Sequence, residues 1–227
     1  MRTALHIAIA LAVIGVCAWG VIWQFSDNAS PDIEQNLIQP LAIGDLLEVD
    51  FTLRDMDPIP KPRNLMAWYG RGATVLYTWS VPCPCVEDLE PRMRKVHERF
   101  NHEKNGVRWV ALAGEPEDTR EAIREKMDRV GVFYPVLRDP DQRVCRQLDL
   151  VHAGQVAVLD PDGRLVFRGS PDDDYFGGGA EALVTALEAV LAGRPVEPAE
   201  TPRAYGCAFS VPLSCLTLEE DAEEPAR

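Results

Sequence analysis

Seven uncharged residues, Ala73-Thr74-Val75-Leu76-Tyr77-Thr78-Trp79, lead within four positions to Cys83-Pro84-Cys85, and the chain beyond them takes up helical spacing. A short apolar run rich in β-branched and aromatic residues has the pattern of a buried strand, and Leu89, Met93, Val96 and Phe100 recur at the three-to-four spacing of a helix face. The junction therefore reads as a core strand ending just before Cys83 and a helix starting near Glu87. The alternation continues with an apolar run from Val107 to Ala113 and a second helical pattern through Ile123, Met127 and Val130. Val49 to Leu53 alternates apolar and polar upstream, before a turn-rich stretch from Asp57 to Arg63. Val136-Leu137 and Val156 to Leu159 can add strands, Asp160-Pro161-Asp162-Gly163 is a hairpin turn, Leu165-Val166-Phe167 returns, and Ala180 to Leu191 closes as a helix. This order specifies an α/β sandwich with a terminal hairpin and helix.

At 227 residues the chain holds one domain plus accessories, on a prior of about 100–200 residues per domain. Hydrophobic residues are 46% and charged residues 26%, which excludes a wholly disordered, collagenous or multi-span membrane chain. A net charge of −13 with no visible basic patch argues against nucleic acid as a partner. From Leu5 to Trp23, nineteen residues carry only His6 and Cys17 as ionisable side chains, long enough to cross about 30 Å of hydrocarbon as a helix. Trp19 and Trp23 fill the exit of that stretch, where a cleaved signal would place small residues, so the segment reads as an uncleaved anchor. Cys17 within it reads as a lipid-facing or packing residue. Arg2 before the span and Asp27, Asp32 and Glu34 after it keep the N-terminus in the cytoplasm and turn the rest of the chain outward. The expected organisation is a signal anchor at 1–25, a tether at 26–45 with Pro31 and Pro40, a domain at 46–193, and a Pro-rich, Cys-containing and finally disordered acidic tail at 194–227.

Six cysteines occur, at 17, 83, 85, 145, 207 and 215. Outside the cytoplasm such thiols are oxidised in pairs or work in redox exchange. Cys83 stands where backbone N–H groups and the helix dipole stabilise a thiolate, which makes it the nucleophile of choice. Cys85, one residue beyond Pro84, bridges to it only with strain, and strain makes a bridge easy to reduce. The alternatives are a metal pair or a structural role. Cys145, between Val144 and Leu148, reads as a core thiol. Cys207 is open between a structural bridge to Cys215 and a resolving role. Trp79 reads as core more readily than as a groove wall, Asp172-Asp173-Asp174 as a solvated turn, and His97 and His102 as surface residues.

The run Val75 to Cys83, followed by Glu90-Pro91, resembles the membrane-tethered thioredoxin-like thiol-disulfide oxidoreductases, with Trp79 four residues before the Cys and Pro91 eight after it. Leu159 to Gly169 is similar to the hairpin after the third core strand of that superfamily, and coverage runs from about Leu46 to Leu191. Phe167-Arg168-Gly169, Asp172-Asp173, Gly193-Arg194-Pro195-Val196, Thr201 and Gly206-Cys207 resemble a peroxiredoxin-like AhpC-TSA branch of the redoxins. The resemblance implies a thioredoxin-like three-layer sandwich with a central mixed β-sheet, behind one N-terminal transmembrane helix. It further implies thiol-disulfide exchange with Cys83 attacking and Cys85 resolving, Cys207 being the rival resolving thiol, and Ser80, Trp79, Pro84 and Gly154 in support. The partners would be protein thiols or disulfides and an upstream electron donor or acceptor, at the periplasmic face of a bacterial cytoplasmic membrane, without a cofactor.

Three positions differ from that pattern. Pro84 alone separates the two cysteines, where thioredoxins have two residues. Gly154 stands where thioredoxins resemble one another in a cis-proline and typical peroxiredoxins carry an arginine. Ser80-Val81-Pro82-Cys83 keeps the hydroxyl of a peroxiredoxin site without that arginine, so thiol peroxidase activity is one alternative. A second is a copper-binding assembly chaperone, with Cys83, Cys85 and His152 as ligands, because soft thiolates select copper and anchored copper chaperones of thioredoxin fold resemble this layout. A third is a redoxin scaffold without activity that only binds a partner.

Overall fold

The computed structural model describes residues 38–48, 52–56, 61–101, 105–132, 134–172, 178–202 and 206–212. The expected anchor, most of the tether, Cys17, His102, Asp173, Asp174, Cys215 and the acidic tail lie outside these residues. No helix among the described residues is long and apolar enough to cross a membrane.

The chain forms β1 (Thr52–Asp55), β2 (Pro62–Asn64), a 3-10 turn (Leu65–Trp68), β3 (Ala73–Trp79), α1 (Pro84–Phe100), β4 (Val107–Ala113), α2 (Arg120–Val130), β5 (Val136–Arg138), α3 (Arg143–Gln147), β6 (Val156–Leu159), β7 (Leu165–Gly169) and α4 (Glu181–Leu191). The strands make one mixed sheet in the order β2-β1-β5-β4-β3-β6-β7. β3 runs parallel to β4, with Ala73 opposite Val107 and Trp79 opposite Ala113, and β4 runs parallel to β5. β6 lies antiparallel to β3, β7 antiparallel to β6, and β1 antiparallel to β5. This is the thioredoxin-like α/β arrangement, with the expected strand, helix and hairpin order.

All seven residues of β3 are buried, as a central strand covered on both faces requires. Its two threonines spend their hydroxyls on neighbouring backbone. Thr74 Oγ1 accepts from Gly70 N, and Thr78 Oγ1 donates to the His152 carbonyl at 2.6 Å while accepting from Gln155 N at 2.9 Å. Pro84 opens α1 at a first-turn position, where its fixed φ suits the helix and its missing N–H costs nothing. Val86, Leu89, Met93, Val96 and Phe100 form the buried stripe. α2 starts with Thr119 accepting from Ala122 N and stops at Gly131 in the left-handed region. Ion pairs join α1 to both neighbours, Glu87 to Arg129 of α2 and Arg99 to Glu188 of α4.

Several elements depart from the expectations. The first strand is described over Thr52–Asp55, with Val49, Asp50 and Phe51 of the expected run outside the described residues, and its last residue, Asp55, is held at the sheet by the Lys61 amide and the Arg63 guanidinium. Domain contacts begin within the stretch read as tether, where Leu41 N donates to the Gln147 carbonyl and Gly44 N to that of Leu165. Asp172 is not in a solvated turn: it is fully buried, paired with Arg92 at 2.7 Å, and accepts from the Glu181 amide at the start of α4. His97 is not a surface residue either, since it packs edge-on against Trp109 with centroids 5.4 Å apart and burial holds its pKa below the ordinary value. The segment after α4 also folds back. Residues 199–201 run along β7, where Arg168 N donates to the Ala199 carbonyl and Thr201 N to that of Arg168.

Candidate active site

Cys83 occupies the cap position of α1, at the end of the loop that leaves β3, and its side chain is fully buried. The loop hangs from two groups outside it. Asp118 accepts from Val81 N at 2.8 Å, and Lys126 of α2 points its ammonium at three loop carbonyls, those of Ser80, Val81 and Cys83, at 3.1, 2.8 and 2.8 Å. Lys126 is only 1% exposed, lies 5.4 Å from the Trp79 ring and reaches Glu87 at 3.5 Å. A buried ammonium is tolerated when all three N–H groups find acceptors, and here each does.

Trp79 is buried at the end of β3 and donates from Nε1 to Glu90, which also accepts from the Tyr134 hydroxyl at 2.6 Å. Burial raises the Glu90 carboxyl above its ordinary pKa, against the lowering effect of these two donors. The Trp-to-Glu90-Pro91 spacing in the sequence thus corresponds to a side-chain bond from the last strand residue to the helix. Ser80 is buried beside the motif. Gly154 adopts φ +89° in the loop before β6, where its N–H donates to the Thr78 carbonyl and a Cβ would come within 2.9 Å of Leu89. A side chain there would be strained both by conformation and by the helix that begins with the cysteine motif.

The third sulfur comes from the far end of the chain. Residues 206–210 lie antiparallel to residues 151–153: Ala153 N donates to the Cys207 carbonyl, Phe209 N to that of Val151, and His152 bridges Ala208. Gly206, at φ +111°, passes so close to the loop that a Cβ would meet the Ala153 carbonyl at 1.9 Å. Phe209 is nearly buried over Gly114, and Ser210 is held from both sides by Glu115 and Gln142. This strap sets Cys207 over Cys83. The Cys207 amide donates to Cys83 Sγ at 3.4 Å, and the Sγ atoms of Cys83, Cys85 and Cys207 lie within 4.8 Å of one another. None of the three is in a disulfide.

The electrostatics divide the roles. Burial pushes the Cys83 thiol up, but the Cys207 thiol and amide and the amides of Val86 and Cys85 outweigh it, and the net shift is below the ordinary value. Cys207 moves the other way, to about 12, chiefly because its S–H is the group donating to Cys83. The site therefore favours the thiolate at Cys83 over one at Cys207, which keeps its proton. Cys145 is buried on α3, pushed well above its ordinary pKa by desolvation and by Asp139, and stands apart from this cluster. His152 reaches the strap through its backbone, and among the described residues the metal-competent cluster is Cys83, Cys85 and Cys207, without the His152 expected in the copper reading. Sequence reasoning missed Lys126, the side-chain role of Glu90, and Asp118. The first two sit at positions of the helical patterns that face inward, a signal that charge alone conceals.

A mixed sheet of this topology, with a cysteine capping the helix that follows its central strand, defines a thioredoxin-like redox protein. The AhpC/TSA family matches residues 47–168, more than half of the chain, and the chain belongs to that family. No curated protein matches it. Among solved structures, an uncharacterized conserved protein from Geobacillus kaustophilus is 25% identical, with a TM-score of 0.65 over 77% of this chain and 93% of its own. A hypothetical protein from Sinorhizobium meliloti 1021 is 24% identical, with a TM-score of 0.64 over 75% of this chain and 95% of its own. A candidate thiol:disulfide interchange protein DsbE from Chlorobium tepidum shares the fold at 18% identity, with a TM-score of 0.55 over 66% of this chain and 99% of its own.

Proposed function

We propose that the protein is a thiol-disulfide oxidoreductase, held at the outer face of the cytoplasmic membrane by residues 1–25, with Cys83 as nucleophile and Cys207 as the resolving thiol. The observation that carries this reading is the bonded pair of a buried sulfur whose pKa is lowered and a neighbour, on a separate segment, whose pKa is raised. The Cys83 thiolate attacks one sulfur of a partner disulfide, forming a mixed disulfide and expelling the other partner sulfur as a thiolate. Cys207 then gives up its proton to the departing sulfur and attacks Cys83 Sγ. The products are a Cys83–Cys207 disulfide and a reduced dithiol partner, two electrons having passed from the protein to the partner. The same steps run in reverse when a dithiol partner meets the oxidised protein. Cys85 lies within reach of both sulfurs, but a bridge to Cys83 across one proline is the more strained.

The test uses the full-length chain in detergent, equilibrated with a disulfide buffer and digested for mass spectrometry. A reversible Cys83–Cys207 peptide that is lost in Cys83→Ser and Cys207→Ser but kept in Cys85→Ser is the expected result. A Cys83–Cys85 bridge that persists in Cys207→Ser moves the resolving role to Cys85, and no reversible bridge at Cys83 refutes exchange. Protease added to spheroplasts should cleave the domain, since the anchor turns it outward.

A further inference from the structure

We infer that the three sulfurs of Cys83, Cys85 and Cys207 form a three-coordinate binding site for a soft monovalent metal ion, Cu(I). The inference is separate from the exchange chemistry, although it uses the same atoms. Three Sγ atoms from two segments 124 positions apart in sequence converge to within 4.8 Å of one another. A metal–sulfur bond of about 2.3 Å in a trigonal site places its sulfurs about 4 Å apart, so these need to draw in by less than about an ångström. Three thiolates round one monovalent cation carry two net negative charges. Amides of Cys85, Val86 and Cys207 point at the Cys83 sulfur, and the Lys126 ammonium sits behind the Cys83 carbonyl, so the surroundings favour that charge.

Coordination number selects the ion. Zinc takes four ligands in protein sites, usually completing sulfur with histidine or carboxylate. Among the described residues no histidine, aspartate or glutamate joins the cluster, which leaves an all-sulfur triad suited to Cu(I). The graded burial also fits capture: Cys83 lies inside, Cys85 is half-buried and Cys207 is exposed, so an ion handed over from solvent meets the strap sulfur first. Binding moves no electrons. Each thiol still protonated releases its proton to solvent as its sulfur takes the metal.

The strap supplies the discriminating variant. Reduced, metal-free, full-length protein is titrated anaerobically with Cu(I) in the presence of a colorimetric Cu(I) chelator, and X-ray absorption counts the ligands. One Cu(I) per chain, three sulfur neighbours, at least a tenfold weaker affinity in Cys207→Ser and an unchanged affinity in Cys145→Ser are expected. Equal affinity in Cys207→Ser, a two-sulfur site, or retention of Zn(II) against an equal excess of Cu(I) overturns the inference. Circular dichroism on Cys207→Ser confirms that a loss reflects the ligand and not the fold. The disulfide mapping, run without metal, stands or falls independently of this result.

Discussion

Lys126 is the residue on which the geometry of the site most depends. Its ammonium satisfies three carbonyls of the loop that carries Cys83, and removing it leaves those carbonyls buried without a donor. Lys126→Met should therefore cost about 3 kcal/mol of stability, read from urea unfolding at constant m-value, and a loss below about 1 kcal/mol would remove Lys126 from this role. Cys207→Ala takes away the S–H that donates to Cys83, and a donor to the charged form lowers a pKa. The midpoint of Cys83 alkylation against pH should accordingly move up in that variant. Asp118 supplies a pH dependence of the fold itself. Burial raises its carboxyl to about 6, so the folded chain keeps a proton that the unfolded chain loses between about pH 4 and 6. Stability from this group declines as pH rises through that window, and Asp118→Asn, which still accepts from Val81 N, should flatten the decline in a series of thermal melts.

At the scale of elements, β3, α1, β4, α2 and the β6–β7 hairpin are legible in the sequence because each is a run whose apolar period matches its burial. Ala73 to Trp79 carries no charge on either face, and Leu89 to Phe100 marks a single stripe. The cysteine motif is legible too, since a strand–helix junction fixes where it stands. The strap is not, because its position depends on backbone bonds to residues 151–153 that carry no side-chain signature beyond Gly206. Asp172 and His97 read as surface residues, and Lys126 goes unread, because Arg92, Trp109 and the loop carbonyls that they meet cannot be seen from their neighbours in sequence. Gly206→Val gives the strap a direct trial. A Cβ at this position meets the Ala153 carbonyl, so the strap should lift, and the Ala153 amide, bonded to the Cys207 carbonyl, should exchange its hydrogen faster while the β3 amides keep their protection. Unchanged exchange at Ala153 would mean that the strap is held by Phe209 and Ser210 alone.

For the molecule as a whole, the two ways of closing a disulfide at Cys83 differ sharply in thermodynamic weight. A bond to Cys207 ties residues 124 apart and restricts the unfolded chain by about 5 kcal/mol on the chain-entropy account, whereas a bond to Cys85 closes a loop too short to matter. Oxidised protein should melt several degrees or more above reduced protein, and the gap should vanish in Cys207→Ser while surviving in Cys85→Ser. A gap that survives in Cys207→Ser would place the stabilising bridge elsewhere.

The long sequence interval between Cys83 and Cys207 also sets a timetable. A ribosome that has just added Cys85 must join more than 120 further residues before the third sulfur exists. Until then the sheet, the cap of α1 and the Lys126 clamp can all assemble around a cysteine pair with no strap above it. Newly made protein thus passes through an interval in which Cys83 is shaped for reaction but uncovered, and the last part of the domain to emerge is the part that closes it.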